Sequence, residues 1–288
     1  MFVFLLISNI KYKLMKKFFF YFLLALFTGI MPATSANVKP VQTYSKCMNK
    51  EIPAIIITPD GYSVQKNYPV LYLLHGYSGN DNDWIKKVPE IKEYADMYKF
   101  IIVCPDANFS SWYMDSPIDS SFRYETYTSK ELPQWIDSHY STVTSRKGRA
   151  ITGLSMGGHG ALYLAFRHQN IFGAAGSMSG GVDLRPFPKE WNISKRIGTY
   201  SEHPENWEKN SVINLVYLLT PGSLQITFDC GSNDFFYQVN CNLHKKLLER
   251  NIPHDFTVRP GAHTWEYWKN SIAFQVVFFH HFFEQNKK

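Results

Sequence analysis

Apolar stretches alternate with amphipathic stretches along the chain from about residue 41 onward. Val41–Met48 and Ile52–Thr58 predict two strands, and Pro59–Gly61 has the composition of a turn that ends the second. Later apolar runs are continuous, as expected of strands buried on both faces of a parallel or mixed sheet. These runs predict strands at residues 68–74, 100–104, 148–152, 172–178, 224–230 and 254–258.

The segments between these runs space their apolar side chains at helical intervals. They predict helices at residues 83–98, 124–140, 159–169, 238–249 and 265–284, and Pro133 is expected to kink the second of them. Strands alternating with helices predict an α/β fold, a mostly parallel sheet with helices on both faces. Residues 181–222 interrupt the alternation. We expect either an excursion over the functional edge of the sheet or a long surface connection with one or two helices.

The first 36 residues have the composition of a targeting segment. Met15–Lys17 is basic, Phe18–Ile30 is apolar, and small residues follow up to Ala36. This pattern predicts a secretory signal peptide over residues 1–36, with Met15 as an alternative start. The apolar run is shorter than the roughly 20 residues of a spanning helix, so an uncleaved membrane anchor is the weaker alternative. The mature chain is expected to be one domain, residues 37–288, without stable membrane insertion.

The charge distribution disfavours a nucleic-acid partner. The formal net charge is +6, and four lysines of the first 36 residues supply much of it. The remaining chain is therefore nearly balanced and predicts no basic face. The sequence has no glycine-rich phosphate loop and no dinucleotide fingerprint, so we expect no cofactor.

The cysteines do not have the spacing of a zinc site, and no metal is expected. A secreted protein could form disulfides, and Cys230 and Cys241 are close enough in sequence to pair. Cys104 and Cys230 fall at the ends of predicted strands, where buried free cysteine is common. We therefore favour free thiols for these residues and for Cys47.

A Gly-x-Ser-x-Gly motif lies between a predicted strand and a predicted helix. It comprises Gly153, Ser155 and Gly157. In a nucleophile elbow the serine occupies a sharp strand-to-helix turn, and the glycines allow the strand and helix to approach closely. Ser155 is therefore the candidate nucleophile.

A serine nucleophile needs a histidine base and an acid that orients the histidine. His263 lies in a loop between the last predicted strand and the last helix, where it can reach the serine. Two acids lie near the end of the strand at 224–230: Asp229 at the strand end itself and Asp234 in the loop beyond. We favour Asp234, because this fold normally carries the acid in that loop, and keep Asp229 as the alternative.

An oxyanion hole requires two backbone N–H groups. Met156 follows the nucleophile and is expected to supply one, and Tyr77 in the loop after an early strand the other. His75 precedes Tyr77 in that loop. Its place in the chain order argues for a structural role rather than for the catalytic base.

Five segments together resemble the Putative esterase family of α/β-hydrolases. They are His75–Trp84, Ser111–Pro117, Gly153–Ala161, Gly231–Asp234 and Gly261–Trp268. The family includes esterase D, feruloyl and acetyl-xylan esterases and mycolyltransferases. The resemblance implies an α/β-hydrolase fold and also favours Asp234. It further implies that Trp112 and Tyr113 lie near the cleft and bind substrate.

These observations predict a secreted or periplasmic serine carboxylesterase with Ser155, Asp234 and His263 as its triad. Because the chain is expected to be exported, the expected substrates are feruloyl or acetyl esters of plant polysaccharide, or short-chain esters. One alternative is an acyltransferase with a sugar or lipid acceptor. The others are an S-formylglutathione hydrolase-like thioesterase, which fits export poorly, and a non-catalytic carbohydrate-binding relative. The sequence does not predict an oligomeric state.

Overall fold

The computed structural model describes residues 15–17 and 35–287, and it divides the chain into two units, Met1–Ser35 and Ala36–Lys288. Most of the predicted signal peptide, including its apolar run, lies outside the described residues. Within the described ranges, no helix combines the length and apolar character needed to cross a bilayer.

The second unit is built on one eight-stranded sheet. Its strands are β1 Asn37–Ser45, β2 Lys50–Thr58, β3 Val70–Leu74, β4 Ile101–Pro105, β5 Arg149–Gly153, β6 Ala174–Met178, β7 Gln225–Gly231 and β8 Asp255–Arg259. Their order across the sheet is β1-β2-β4-β3-β5-β6-β7-β8. The pairs β1–β2 and β2–β4 are antiparallel, and the other neighbours are parallel. The carboxyl ends of the parallel strands therefore meet at one edge.

The helices are α1 Asp83–Lys87, α2 Ile91–Tyr98, α3 Tyr124–Thr126, α4 Leu132–His139, α5 Met156–Arg167, α6 Ile193–Ile197, α7 Pro204–Asn210, α8 Tyr237–Glu249 and α9 Trp265–Gln285. The side chains of the central strands alternate between two separate cores. In β3, Tyr72 packs in the core that includes α4, α5 and α8, whereas Leu71 and Leu73 pack in the core that includes α1, α2 and α9. Helices thus cover both faces of the sheet, as predicted.

Two predicted helices are interrupted where prolines lie. Residues 83–98 form α1 and α2 rather than one helix, because Pro89 cannot supply an amide hydrogen to continue α1. The stretch 124–140 runs from α3 through a π-helical turn, Tyr127–Glu131, into α4. This π-helical turn directly precedes the first turn of α4, which contains Pro133. A π-helical turn within a helix is a known cause of kinks.

The segment 181–222 is packed into the molecule and is more than a surface connection. It contains α6, α7 and two short 3₁₀ turns, Val212–Asn214 and Val216–Leu218. Trp207 is fully buried in the core beside α5, whereas Trp191 is only partly buried.

All four cysteines lie in the described part of the chain, and none forms a disulfide.

Candidate active site

Ser155 lies in a strained turn between β5 and α5, with φ 54° and ψ −116°. Such a positive φ is uncommon for a residue other than glycine. The flanking glycines make the turn possible. A Cβ on Gly153 would lie 2.7 Å from the Gly157 backbone, and a Cβ on Gly157 would lie 2.5 Å from the His75 carbonyl oxygen. The turn therefore places Ser155 at the carboxyl edge of the sheet, where it is 8% exposed.

Ser155, His263 and Asp234 form a continuous hydrogen-bonded chain. The Nε2 atom of His263 lies 2.8 Å from Ser155 Oγ, and its Nδ1 atom lies 2.8 Å from Asp234 Oδ2. Asp234 follows β7, and His263 lies between β8 and α9. A carboxylate only accepts hydrogen bonds, so Nδ1 is assigned the proton and Nε2 is left to accept the proton of the serine.

The loop around Asp234 fixes the direction of its carboxylate. Its second oxygen, Oδ1, accepts the backbone N–H of Phe236 at 2.8 Å, and its side chain is fully buried. The ring of His263 is held between aromatic rings, with centroids 4.2 Å from Phe235 and 4.8 Å from Trp268. Neither the acid nor the imidazole has much freedom to leave this arrangement.

The alternative acid, Asp229, faces a different part of the molecule. Its carboxylate accepts hydrogen bonds from the Tyr267 and Ser271 hydroxyl groups at 3.0 and 2.6 Å and from the Gln275 amide at 2.8 Å. Burial raises the pKa of this carboxyl above its ordinary value. Asp229 therefore ties β7 to α9, and of the two acids Asp234 is the one against His263.

The two predicted oxyanion donors flank the serine. Met156 is the first residue of α5, and the first amides of a helix have no partner within it. Tyr77 follows Gly76, which lies so close to the elbow that a Cβ there would be 3.5 Å from Ser155 Cβ. Among the residues that the structure describes, none accepts a hydrogen bond from the Tyr77 amide. The oxyanion role of the two amides stays a prediction.

His75 shapes the loop that carries Tyr77, as predicted. Its Nε2 atom accepts the Ala107 N–H at 2.8 Å, so the proton is on Nδ1, which donates to the Gly76 carbonyl at 2.7 Å. Burial lowers the pKa of this imidazole and keeps it neutral.

A cavity of about 360 Å³ opens beside Ser155 and His263. This volume is near the lower limit for small-molecule sites. Aromatic side chains form much of the wall: Tyr77, Trp191, Phe235, Trp265 and Trp268. The hydroxyl of the candidate nucleophile therefore faces a small aromatic cavity.

A model of the Putative esterase family matches residues 45–279, which is most of the chain. The chain belongs to this family. An esterase of Mycobacterium tuberculosis is 36% identical over 135 residues, and the match covers 45% of this chain and 29% of the relative. The match thus spans less than a third of that relative's length. The acetyl esterase of Caldicellulosiruptor saccharolyticus is 26% identical over 257 residues, covering 82% of this chain and 95% of the relative.

A solved structure of a ferulic acid esterase superposes with a TM-score of 0.76 at 28% identity, covering 87% of this chain and 99% of that one. The predicted α/β-hydrolase fold is therefore confirmed, and membership of an esterase family supports a carboxylesterase.

The structure places Trp112 and Tyr113 behind the cavity wall, which differs from the predicted substrate-binding position. They are 1% and 0% exposed, and neither lines the cavity. Their backbones have φ of 54° and 58°, and the Tyr113 ring packs against α5 where Gly160 leaves room for it. Trp112 N–H donates to Met156 Sδ at 3.4 Å, and the Tyr113 hydroxyl donates to the His75 carbonyl at 3.0 Å. Both residues therefore pack against the segments that carry Met156 and His75.

Most of the cavity wall was not predicted from the sequence. Phe235 is adjacent to Asp234, and Trp265 and Trp268 follow His263, so proximity to the predicted triad was an available signal. For Trp191 the signal was its place in the segment 181–222, for which an excursion over the functional edge of the sheet is one of the two expected paths. Only the folded path of that segment brings Trp191 to the cavity.

Proposed function

We propose that this protein is a serine carboxylesterase in which Ser155, His263 and Asp234 form the catalytic triad. The hydrogen-bonded chain from Asp234 through His263 to Ser155, opening into the aromatic cavity, is the observation that carries the proposal. Membership of the esterase family supports the same chemistry.

In the proposed mechanism Ser155 Oγ attacks the ester carbonyl while His263 Nε2 takes the hydroxyl proton. Asp234 stabilises the resulting imidazolium. The amides of Met156 and Tyr77 bind the oxyanion of the tetrahedral intermediate, and each such donor contributes on the order of 3 kcal/mol. His263 then protonates the leaving alcohol, which gives the acyl-enzyme. It next activates a water molecule that releases the acid and restores Ser155.

The proposed substrates are aromatic or short acyl esters, such as the feruloyl or acetyl decorations of plant polysaccharide. The aromatic walls Trp191 and Phe235 favour a flat or compact acyl group, because rings stack on flat groups and the cavity is small. The similar acetyl esterase and ferulic acid esterase are named for these two acyl groups.

We also propose that the protein is exported and that its mature chain begins near Asn37. Strand β1 begins at Asn37, so a chain that begins near this residue keeps all eight strands of the sheet. Amino-terminal sequencing of the protein recovered from outside the expressing cell is expected to begin within a few residues of Asn37. Recovery of the full-length chain in a membrane fraction would contradict the proposal.

The substrate class is tested by incubating the purified chain with nitrophenyl acetate, methyl ferulate and acetylated xylan. Release of acid from at least one of them is expected, whereas Ser155→Ala should release none. Addition of an alcohol acceptor separates hydrolysis from acyl transfer, because a transferase would form a new ester in place of the free acid. Absence of turnover on all three substrates would contradict the proposed function.

A further inference from the structure

In the described part of the chain, two pairs of consecutive residues have left-handed backbone conformations. They are Trp112–Tyr113, with φ of 54° and 58°, and Trp191–Asn192, with φ of 46° and 54°. Bulky residues seldom adopt this conformation, and it persists where surrounding contacts fix it, most often at functional sites. The pairs lie in distant segments but are joined by a hydrogen bond, because Trp112 Nε1–H donates to the Trp191 carbonyl at 3.2 Å.

Each pair also contacts one of the two proposed oxyanion residues. Trp112 bonds Met156 through the backbone-to-sulfur contact described above. Asn192 Nδ2–H donates to the Tyr77 hydroxyl oxygen at 3.1 Å, across 115 positions of sequence. The Tyr77 ring otherwise packs edge-on against Phe109, with centroids 4.7 Å apart. The side chain of Tyr77 is therefore held between Phe109 and Asn192.

The position of the Tyr77 ring matters because the backbone amide of the same residue is a proposed oxyanion donor. The loop has glycine at positions 76 and 79, and glycine permits more backbone conformations than other residues. The following amides are already used, since Ser78 N–H donates to the Phe109 carbonyl and Gly79 N–H to the Gly76 carbonyl. An oxyanion donor must be held within about 0.5 Å of its productive position. Fixing the end of the Tyr77 side chain restricts where its amide can point.

We propose that Asn192 is a positioning residue for the oxyanion hole, acting through its hydrogen bond to the Tyr77 hydroxyl. The inference rests on the proposed esterase function. Asparagine suits both requirements of the position, because it tolerates the left-handed backbone and its amide can donate. The segment 181–222 contributes Trp191 to the cavity wall and, through Asn192, a hydrogen bond to Tyr77. It also holds one of the donors that stabilise the transition state.

A double-mutant cycle tests the proposal. Asn192→Gly removes the donor while keeping a residue that accepts positive φ, and Tyr77→Phe removes the acceptor while keeping the backbone amide. Each is expected to lower kcat on nitrophenyl acetate about tenfold with little change in KM, a fraction of the loss seen when an oxyanion donor is removed outright. Because both changes break the same bond, the double variant should be no slower than either single variant.

Two further variants sharpen the test. Asn192→Asp should keep kcat within about threefold of wild type, because the Tyr77 hydroxyl can donate to the carboxylate and restore the bond. Tyr217→Phe is the matched control, since Tyr217 lies in the same segment but is 66% exposed, and its kcat should not change.

Additive losses in the double variant would overturn the positioning role. So would a higher KM with unchanged kcat, which would indicate direct contact with substrate, and so would wild-type kcat in both single variants. If Asn192→Gly does not fold, Tyr77→Phe alone still decides, because a fall in its kcat is required. An inactive wild-type protein would instead contradict the proposed function itself, so the two failures are distinguishable.

Discussion

Replacing Asp234 by asparagine should remove most of the catalytic rate while leaving the fold intact. The carboxylate lies 2.8 Å from His263 Nδ1, and its side chain is fully buried. When His263 becomes an imidazolium, a negative charge about 4 Å away contributes about 4 kcal/mol at an effective dielectric constant near 20. That corresponds to about 10³-fold in rate. The asparagine amide also favours the wrong imidazole tautomer, so the total loss in kcat should be about 10⁴-fold.

The matched control is Asp229→Asn, because Asp229 was the competing candidate for the acid. An asparagine there keeps an acceptor for the Tyr267 and Ser271 hydroxyls but turns an N–H₂ group toward the Gln275 amide. This should lower the free energy of unfolding by about 1–3 kcal/mol and change kcat by less than about threefold.

Initial rates on nitrophenyl acetate give kcat, and urea unfolding gives the stability of both variants. Near-normal kcat in Asp234→Asn together with a folded but inactive Asp229→Asn would refute the assignment of the acid.

The stability of the fold should depend on pH and on two of its glycines. Burial lowers the pKa of His159 to about 4, so below pH 6.5 the unfolded chain binds a proton that the native chain does not. Stability should therefore fall by about 3 kcal/mol between pH 6.5 and pH 4. His159→Gln, which can still donate to the Asn210 carbonyl, should show a flatter profile in urea unfolding, and an unchanged slope would contradict this. Burial would raise the pKa of the Glu125 carboxyl, but hydrogen bonds from His168, Arg167 and Tyr163 lower it to about 2. The contribution of this carboxylate to the free energy of unfolding should therefore be lost only as the pH falls from about 4.5 to 2. Gly157→Ala should destabilise the fold by about 1–3 kcal/mol, because its Cβ would meet the β3 backbone. Gly222 has open space around it, so Gly222→Ala should lower the free energy of unfolding by about 1 kcal/mol from its φ of 77° alone. Equal losses for Gly157→Ala and Gly222→Ala would argue against the close approach of Gly157 to the β3 backbone.

The strands of the sheet and the chain order of serine, acid and histidine were predictable, because the sequence signals for them are local. Buried strands such as β3 are continuous apolar runs, and the motif around Ser155 carries its own glycines. The interruptions in two helices were harder to place. Pro133 predicted a kink, but the π-helical turn before it depends on how the α3–α4 stretch packs. Pro89 lies at the break between α1 and α2, but the helical spacing of the apolar residues across 83–98 predicts one continuous helix.

The cavity walls depend on contacts that are distant in sequence. Trp112 and Tyr113 look like cleft residues by resemblance, yet their left-handed backbones turn them into the core beneath Met156 and His75. Trp191 is held at the cavity by contacts distant in sequence: Trp112 donates to its carbonyl, and its ring packs against Phe235 and Phe236. The sequence distinguished Asp234 from Asp229 by loop position, and the hydrogen bonds of Asp229 to α9 give the physical reason.

Covalent labelling tests most directly whether Ser155 is a nucleophile activated by His263. The purified chain is treated with a fluorophosphonate, digested, and analysed by mass spectrometry. We expect one adduct on Ser155, with none in Ser155→Ala and much slower labelling in a His263→Ala variant. A wild-type protein that remains unlabelled, or an adduct on another residue with full esterase activity in Ser155→Ala, would contradict the account.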